Sequence, residues 1–175
     1  MKSTGVIRRI DDLGRIVIPK EIRKNLRIKE GDNLEIYINS EDLVLKKYSH
    51  LKKITDLAQE LVETLNNYLD KTVLITDTDT VIAMAGKNKK KYNNKSLSTY
   101  LINCIQRRQK FLEKTTKNVE FVENEKENCS YIVSTIISNS ETIGSIVIFS
   151  EKEKLIEEEL KIANIASSFI SKYLE

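Results

Sequence analysis

The chain has 175 residues, of which 40% are hydrophobic and 31% charged, a composition that is typical of a globular protein and argues against disorder. No apolar run approaches the roughly 20 residues that span a bilayer, and the first residues do not resemble a secretory signal, so we expect a cytoplasmic protein with no membrane contact. The net charge of +3 is unevenly distributed: residues 1–29 carry +6, residues 30–50 carry −3 and residues 51–175 are neutral. This basic end indicates an anionic partner.

The first fifty residues are predicted to form a β-β-α-β-β unit. Its elements are strands at residues 6–10 and 15–18, a short helix that Pro19 opens, and strands at residues 33–38 and 43–47. A turn at residues 11–14 joins the first two strands, because Asp11 and Gly14 favour turn dihedrals. A unit of this size buries too little surface to be stable alone. We therefore expect a dimer that shares one core, with exchange of strands as one way to build it.

Residues 51–175 are predicted to form a second domain, with a helix first, then a mainly antiparallel sheet with an embedded helix, and a long final helix. The strands are predicted at residues 72–76, 80–85, 119–122, 129–137 and 142–149, and the first two helices at residues 51–69 and 97–108. The final helix is predicted to follow Ser150, because Ser150 and Glu153 have the spacing of a capping box.

Two helices of this domain carry apolar stripes that a sheet alone would not cover. The first stripe comprises Leu51, Ile54, Ala58, Leu61, Leu65 and Tyr68, and the second includes Ile162, Phe169 and Tyr173. The heptad spacing of the first stripe favours domain core and a seam between copies about equally. Any part of either stripe that the sheet leaves exposed would mark an interface with another chain.

Catalytic and metal-binding patterns are weak in this sequence. Cys104 and Cys129 lie far apart without a nearby histidine, so we expect buried reduced thiols, no metal and no cofactor. His50 is predicted to be a solvated linker residue, and the lysine-rich residues 87–95 a solvated loop.

The first fifty residues carry a long and specific motif. The pattern R-x-x-D-x-L-G-R runs from Arg8 to Arg15 and continues through three apolar residues into Pro19. The whole run from Lys2 to Arg23 closely resembles the AbrB family of transition-state regulators, and the likeness covers nearly all of residues 1–50. In the remainder, the order of elements and the run at residues 143–150 resemble a GAF domain.

The resemblance implies an α+β fold, in which residues 1–50 form a swapped-hairpin AbrB-type β-barrel dimer and residues 51–175 a GAF-like, mainly antiparallel sheet flanked by helices. It also implies which residues contact DNA: Arg8, Arg15, Arg23, Lys24 and the neighbouring Arg9. Arginine and lysine suit this role because neutralised phosphates release counterions, and because the guanidinium fork can grip a phosphate or a guanine edge. We expect DNA shape to carry much of the specificity.

The resemblance further implies a sequence-selective regulator of late spore-stage genes, acting as activator or repressor on double-stranded DNA. The GAF-like domain would sense an unidentified small molecule or assemble the protein, and the resemblance favours a homotetramer over a closed dimer. The alternative is an antitoxin-like swapped-hairpin protein that binds a toxin partner as well as DNA. An enzyme is the weakest class, because GAF-like domains that reduce methionine sulfoxide use closely spaced cysteines.

Overall fold

The computed structural model describes residues 4–87 and 89–175, without the side chain of Lys89. The chain divides into two compact units, Met1–Tyr48 and Ser49–Glu175. Two basic residues of the sequence argument, Lys2 and the Lys89 side chain, lie outside the described residues.

The first unit contains helix α1 (Lys20–Asn25) and an antiparallel hairpin of strands β1 (Leu34–Asn39) and β2 (Asp42–Lys47). The helix and the hairpin are where the sequence predicts them. The predicted strands at residues 6–10 and 15–18 are wrong for the single chain, since both segments are irregular apart from the turn between them. A strand needs a hydrogen-bonded neighbour, and β1 and β2 are the only strands that pair within residues 4–48.

The first unit has no apolar core of its own. None of residues 4–48 is buried, and Ile7 and Ile38 are 88% and 83% exposed. A two-stranded hairpin is marginally stable at best in water. Its apolar side chains therefore need a surface that residues 4–48 of one chain do not provide.

The second unit is a five-stranded antiparallel sheet in the order β4-β3-β7-β6-β5. Its strands are β3 (Thr72–Thr76), β4 (Val81–Ala85), β5 (Lys110–Val122), β6 (Glu125–Ser138) and β7 (Glu141–Ser150). Its helices are α2 (Thr55–Leu69), which follows the 3-10 turn Leu51–Ile54, then α3 (Lys89–Tyr92), α4 (Thr99–Gln106) and α5 (Glu157–Tyr173). The predicted antiparallel sheet with flanking helices is confirmed.

The two faces of the sheet carry separate cores. On one face, Val62 of α2 and Ile170 of α5 are fully buried against the sheet. On the other face, α4 and the short α3 cover a cluster rich in aromatic side chains. The stripe that begins at Leu51 is domain core as far as Leu65, whereas Tyr68 at its end is 87% exposed.

Two boundaries differ from the sequence prediction. Strand β5 begins at Lys110 rather than near Val119, because its polar first half lies at the sheet edge, where the ladder to β6 holds it without burial. Helix α5 begins at Glu157 rather than after Ser150. The Ser150 hydroxyl does accept the Glu153 N–H at 3.1 Å, but the carboxylate that caps the helix belongs to Glu159, which accepts the Ile156 N–H at 2.8 Å.

Candidate nucleic-acid interface

A tight turn organises the basic N-terminal segment. One carboxylate oxygen of Asp11 accepts the backbone N–H groups of Leu13 at 3.1 Å and Arg15 at 2.7 Å. The Asp11 N–H in turn donates to the Arg15 carbonyl at 3.0 Å. Gly14 has a φ of +74°, which a residue with a Cβ adopts only with strain. Aspartate and glycine therefore fix the backbone from which Arg15 projects.

The Arg15 guanidinium is tethered at one nitrogen. Its Nε lies 2.8 Å from the second carboxylate oxygen of Asp11, and its side chain remains 69% exposed. The backbone and side-chain hydrogen bonds from Arg15 lower the pKa of the Asp11 carboxyl below its usual value. Sequence reasoning identified Asp11 as a turn former and missed this ion pair, although an aspartate four residues before an arginine across a glycine turn is a usable signal.

Arg23 is tethered in the same way. Its Nε donates to the Ile18 carbonyl at 3.1 Å, and its backbone N–H donates to the Pro19 carbonyl at 3.0 Å. The first bond holds the last turn of α1 to the residue before Pro19, and the second is a bond of the helix itself. The neighbouring Lys24 is exposed on the same short helix.

Arg8 and Arg9 lie on the other side of the turn, and both are exposed. The Arg8 Nη1 donates to the Ile7 carbonyl at 3.3 Å, which holds the side chain loosely. All five predicted positions are thus at the surface of the first unit, on the turn, on its flanks and on α1.

The second unit places its ionisable groups differently from the sequence prediction. Lys91 is not a solvated loop residue, because its ammonium lies 2.6 Å from Glu127 and 3.2 Å from Glu125. The Tyr92 hydroxyl also donates to Glu127. These bonds fasten α3 to strand β6. Lys87 and Lys90 are exposed, as predicted, and His50 is half-buried rather than fully solvated.

Both cysteines are buried, as predicted. Burial raises the pKa of the Cys129 thiol to about 12 and raises that of Cys104 as well. Within residues 4–87 and 89–175, no three His, Cys, Asp or Glu side chains gather where they could hold a metal ion. In the same part of the chain, no helix is both long and apolar enough to cross a membrane.

Comparison with known families accounts for the whole chain. A family described as "Stage V sporulation protein T C-terminal, transcription factor" matches residues 53–175, and one described as "Antidote-toxin recognition MazE, bacterial antitoxin" matches residues 7–53. Stage V sporulation protein T of Bacillus subtilis (strain 168) is 44% identical over 177 residues, which cover 100% of this chain and 99% of that protein.

One further relative and one solved structure each match one unit. Transition state regulatory protein AbrB of Bacillus subtilis (strain 168) is 58% identical over 48 residues, 27% of this chain and 50% of that protein. The GAF domain of an Acinetobacter phosphoenolpyruvate-protein phosphotransferase is 13% identical with a TM-score of 0.58, covering 73% of this chain and 83% of that chain. That second likeness shows the fold alone.

Together, these features define a transcription factor in which an AbrB-type N-terminal domain precedes a GAF-like domain. Because the similarity extends over the full length, the chain belongs to the stage V sporulation protein T family.

Proposed function

We propose that residues 1–50 are a DNA-binding domain through which this transcription factor controls late spore-stage genes, and that residues 51–175 assemble the protein and sense a small molecule. The observation that carries the first part is the charge: a net +6 lies within residues 1–29, and four of their five arginines, Arg8, Arg9, Arg15 and Arg23, are exposed around an ordered turn and helix. The identity to a transition state regulatory protein over the same segment supports it. Such a protein works beside the chromosome, in the cytoplasm.

The tethers at Arg15 and Arg23 suit recognition of a phosphate or a guanine edge. Each arginine anchors its Nε to its own chain, so the terminal nitrogens of the fork are the ones that meet DNA. An anchored guanidinium loses less side-chain entropy on binding than a free one. We assign Arg8, Arg9 and Lys24 to the same surface, with Lys24 acting as a point charge because an ammonium lacks the planar fork.

Exposure of the apolar side chains in the first unit supports a dimer through residues 1–50. Ile7 and Ile38 would enter a core shared with a second copy, in which the segments at residues 6–10 and 15–18 find strand partners. A two-fold dimer doubles the arginine set, which suits a pseudo-palindromic site.

Helix α5 supports assembly of the second unit. Ile165, Phe169 and Tyr173 recur every four residues, and they are 69%, 49% and 59% exposed. The Phe169 and Tyr173 ring centroids are 6.3 Å apart, so they form one exposed apolar surface on the helix. Packing this surface against a second copy joins two dimers into a tetramer.

The two alternatives fit less well. An antitoxin would account for the match at residues 7–53, but antitoxins of this fold usually continue into a toxin-wrapping tail, whereas a folded domain follows here. A thiol enzyme needs an accessible thiolate. Burial holds Cys104 and Cys129 protonated, so we propose that the chain has no catalytic role.

Fluorescence anisotropy with labelled duplex DNA tests the proposal. The full chain and residues 1–50 should bind, and residues 51–175 should not. Each protein is first checked for folded structure by circular dichroism. Binding by residues 51–175 with the affinity of the full chain would overturn the assignment of the DNA-binding domain.

A further inference from the structure

A cleft of about 370 Å³ opens at one end of the sheet in the second unit. It lies where strand β3 begins and strand β7 ends, beside the C-terminal end of α2. Its charged lining residues are three lysines, Lys71, Lys87 and Lys152, and two acids, Asp70 and Glu151; Thr72 and two aromatic side chains also line it. The volume is within the range of clefts that hold metabolites. The three ammonium groups outnumber the two carboxylates of the lining, and this excess of positive charge favours an anion.

Lys71 is the buried cation of this cleft. Its side chain is 8% exposed, and its ammonium bonds the carboxylate of Glu153, whose own side chain is 70% exposed. The hydrogen bond from Lys71 lowers the pKa of the Glu153 carboxyl. A buried ammonium requires a partner anion, but the side chain that supplies this anion, Glu153, is itself largely exposed to solvent. The Glu153 carboxylate can therefore leave if another anion takes its place.

The floor of the cleft is apolar and firmly held. The Tyr92 and Phe149 rings pack with centroids 5.8 Å apart. Both are almost fully buried, so each presents only a small part of its surface to the cleft. Gly86 closes one wall with a φ of +117°, and a Cβ at this position would lie 2.8 Å from the Thr72 hydroxyl oxygen. Deeper in the domain, the space between the sheet and α4 is filled by packed side chains such as Phe121 and Tyr131. The cleft at the end of the sheet, in contrast, leaves room for a ligand.

We propose that this cleft binds a small organic anion. Its carboxylate or phosphate replaces the Glu153 carboxylate on Lys71, its charge is shared with Lys87 and Lys152, and its apolar part lies against Tyr92 and Phe149. This inference rests on the sensing role proposed for residues 51–175 and is independent of DNA binding by residues 1–50.

The position of Glu153 gives ligand binding a route to the rest of the domain. Glu153 lies in the link between β7 and α5, and its carbonyl accepts the Ser130 hydroxyl at 2.8 Å. The Ser130 oxygen also accepts the Leu155 N–H at 3.1 Å. Release of the Glu153 side chain removes its bond to Lys71 from the connection that leads into α5, the helix to which we assign assembly, and leaves the two Ser130 bonds in place.

Isothermal titration of the full chain tests the site with three probes: inorganic phosphate, phenyl phosphate and benzoate. Phenyl phosphate should bind more tightly than inorganic phosphate, because its ring adds apolar contact, and benzoate distinguishes a carboxylate ligand from a phosphoryl one. Glu153→Gln should tighten binding roughly fivefold, since it removes the competing ion pair. Lys71→Met should weaken probe binding at least about tenfold. The arginines of residues 1–50, which also attract anions, are unchanged in this variant.

Lys110→Met is the matched control, because Lys110 is an exposed lysine at the start of β5 outside the cleft, and it should bind like the wild type. If Lys71→Met does not fold, Glu153→Gln still tests the site, since the Glu153 side chain is largely exposed and its replacement should leave the fold intact. Binding that is equal in the wild type, Glu153→Gln and Lys71→Met would overturn the proposal, as would no binding of any probe by Glu153→Gln. DNA affinity measured on the same samples keeps this outcome separate from a failure of the DNA-binding proposal.

Discussion

Replacing Arg15 by alanine should weaken DNA binding in a way that depends on salt. The side chain is 69% exposed and forms an exposed ion pair with Asp11, so the change should leave the fold intact. A dimer loses two phosphate contacts. The slope of log affinity against log salt is about 0.9 per neutralised phosphate, so it should become shallower by about 1.8. Between about 50 and 200 mM salt, the wild type should lose roughly twelvefold more affinity than the variant.

Fluorescence anisotropy at four or more salt concentrations measures that slope. Arg15→Lys is the informative partner: it keeps the charge and the slope but loses the planar fork, so it should bind more weakly at every concentration. Lys110→Ala removes one positive charge from the second unit and should leave the slope unchanged. A folded Arg15→Ala variant with the wild-type slope would refute the assignment of Arg15 to a phosphate.

Further changes test the rest of the molecule. Phe169→Glu should dissociate tetramers into dimers in light scattering because it charges the apolar face of α5, whereas Lys110→Glu at the start of β5 should not; a tetrameric Phe169→Glu would exclude this interface. Gly144→Ala should cost about 3 kcal/mol in chemical denaturation, because its Cβ would lie 1.9 Å from the Thr76 carbonyl oxygen. Ser140→Gly should stabilise the protein by about 0.5–1 kcal/mol in the same assay, since Ser140 has a φ of +65°. Cys129 should resist a disulfide reagent at pH 8 until the protein is denatured, because burial raises its pKa to about 12. The unfolded thiol loses its proton first, so the stability that this thiol contributes should fall as the pH rises above about 8.5.

Local patterns in the sequence were sufficient for much of the second domain. Strands β3, β4 and β7 were placed within a residue of their observed bounds, because buried β-branched runs between turn residues have few other structures to adopt. The predicted burial of both cysteines is confirmed as well. In the first domain, the motif around Asp11 and Gly14 identified both the turn and the arginines that it presents.

Tertiary structure decided the features that depend on a distant partner. The segments at residues 6–10 and 15–18 have strand composition, but a strand forms only where a neighbour accepts its hydrogen bonds, and residues 4–48 of one chain offer none. The polar first half of β5 becomes a strand for the opposite reason, because β6 lies beside it.

The ionic contacts of the second domain likewise join residues that are far apart in sequence. Lys71 meets Glu153 and Lys91 meets Glu127 only after the sheet has brought its strand ends together. A charge pattern along the chain records how many cations there are and which segment holds them. Folding determines which of them become buried, and a buried cation must find an anion because desolvation of an unpaired charge is too costly.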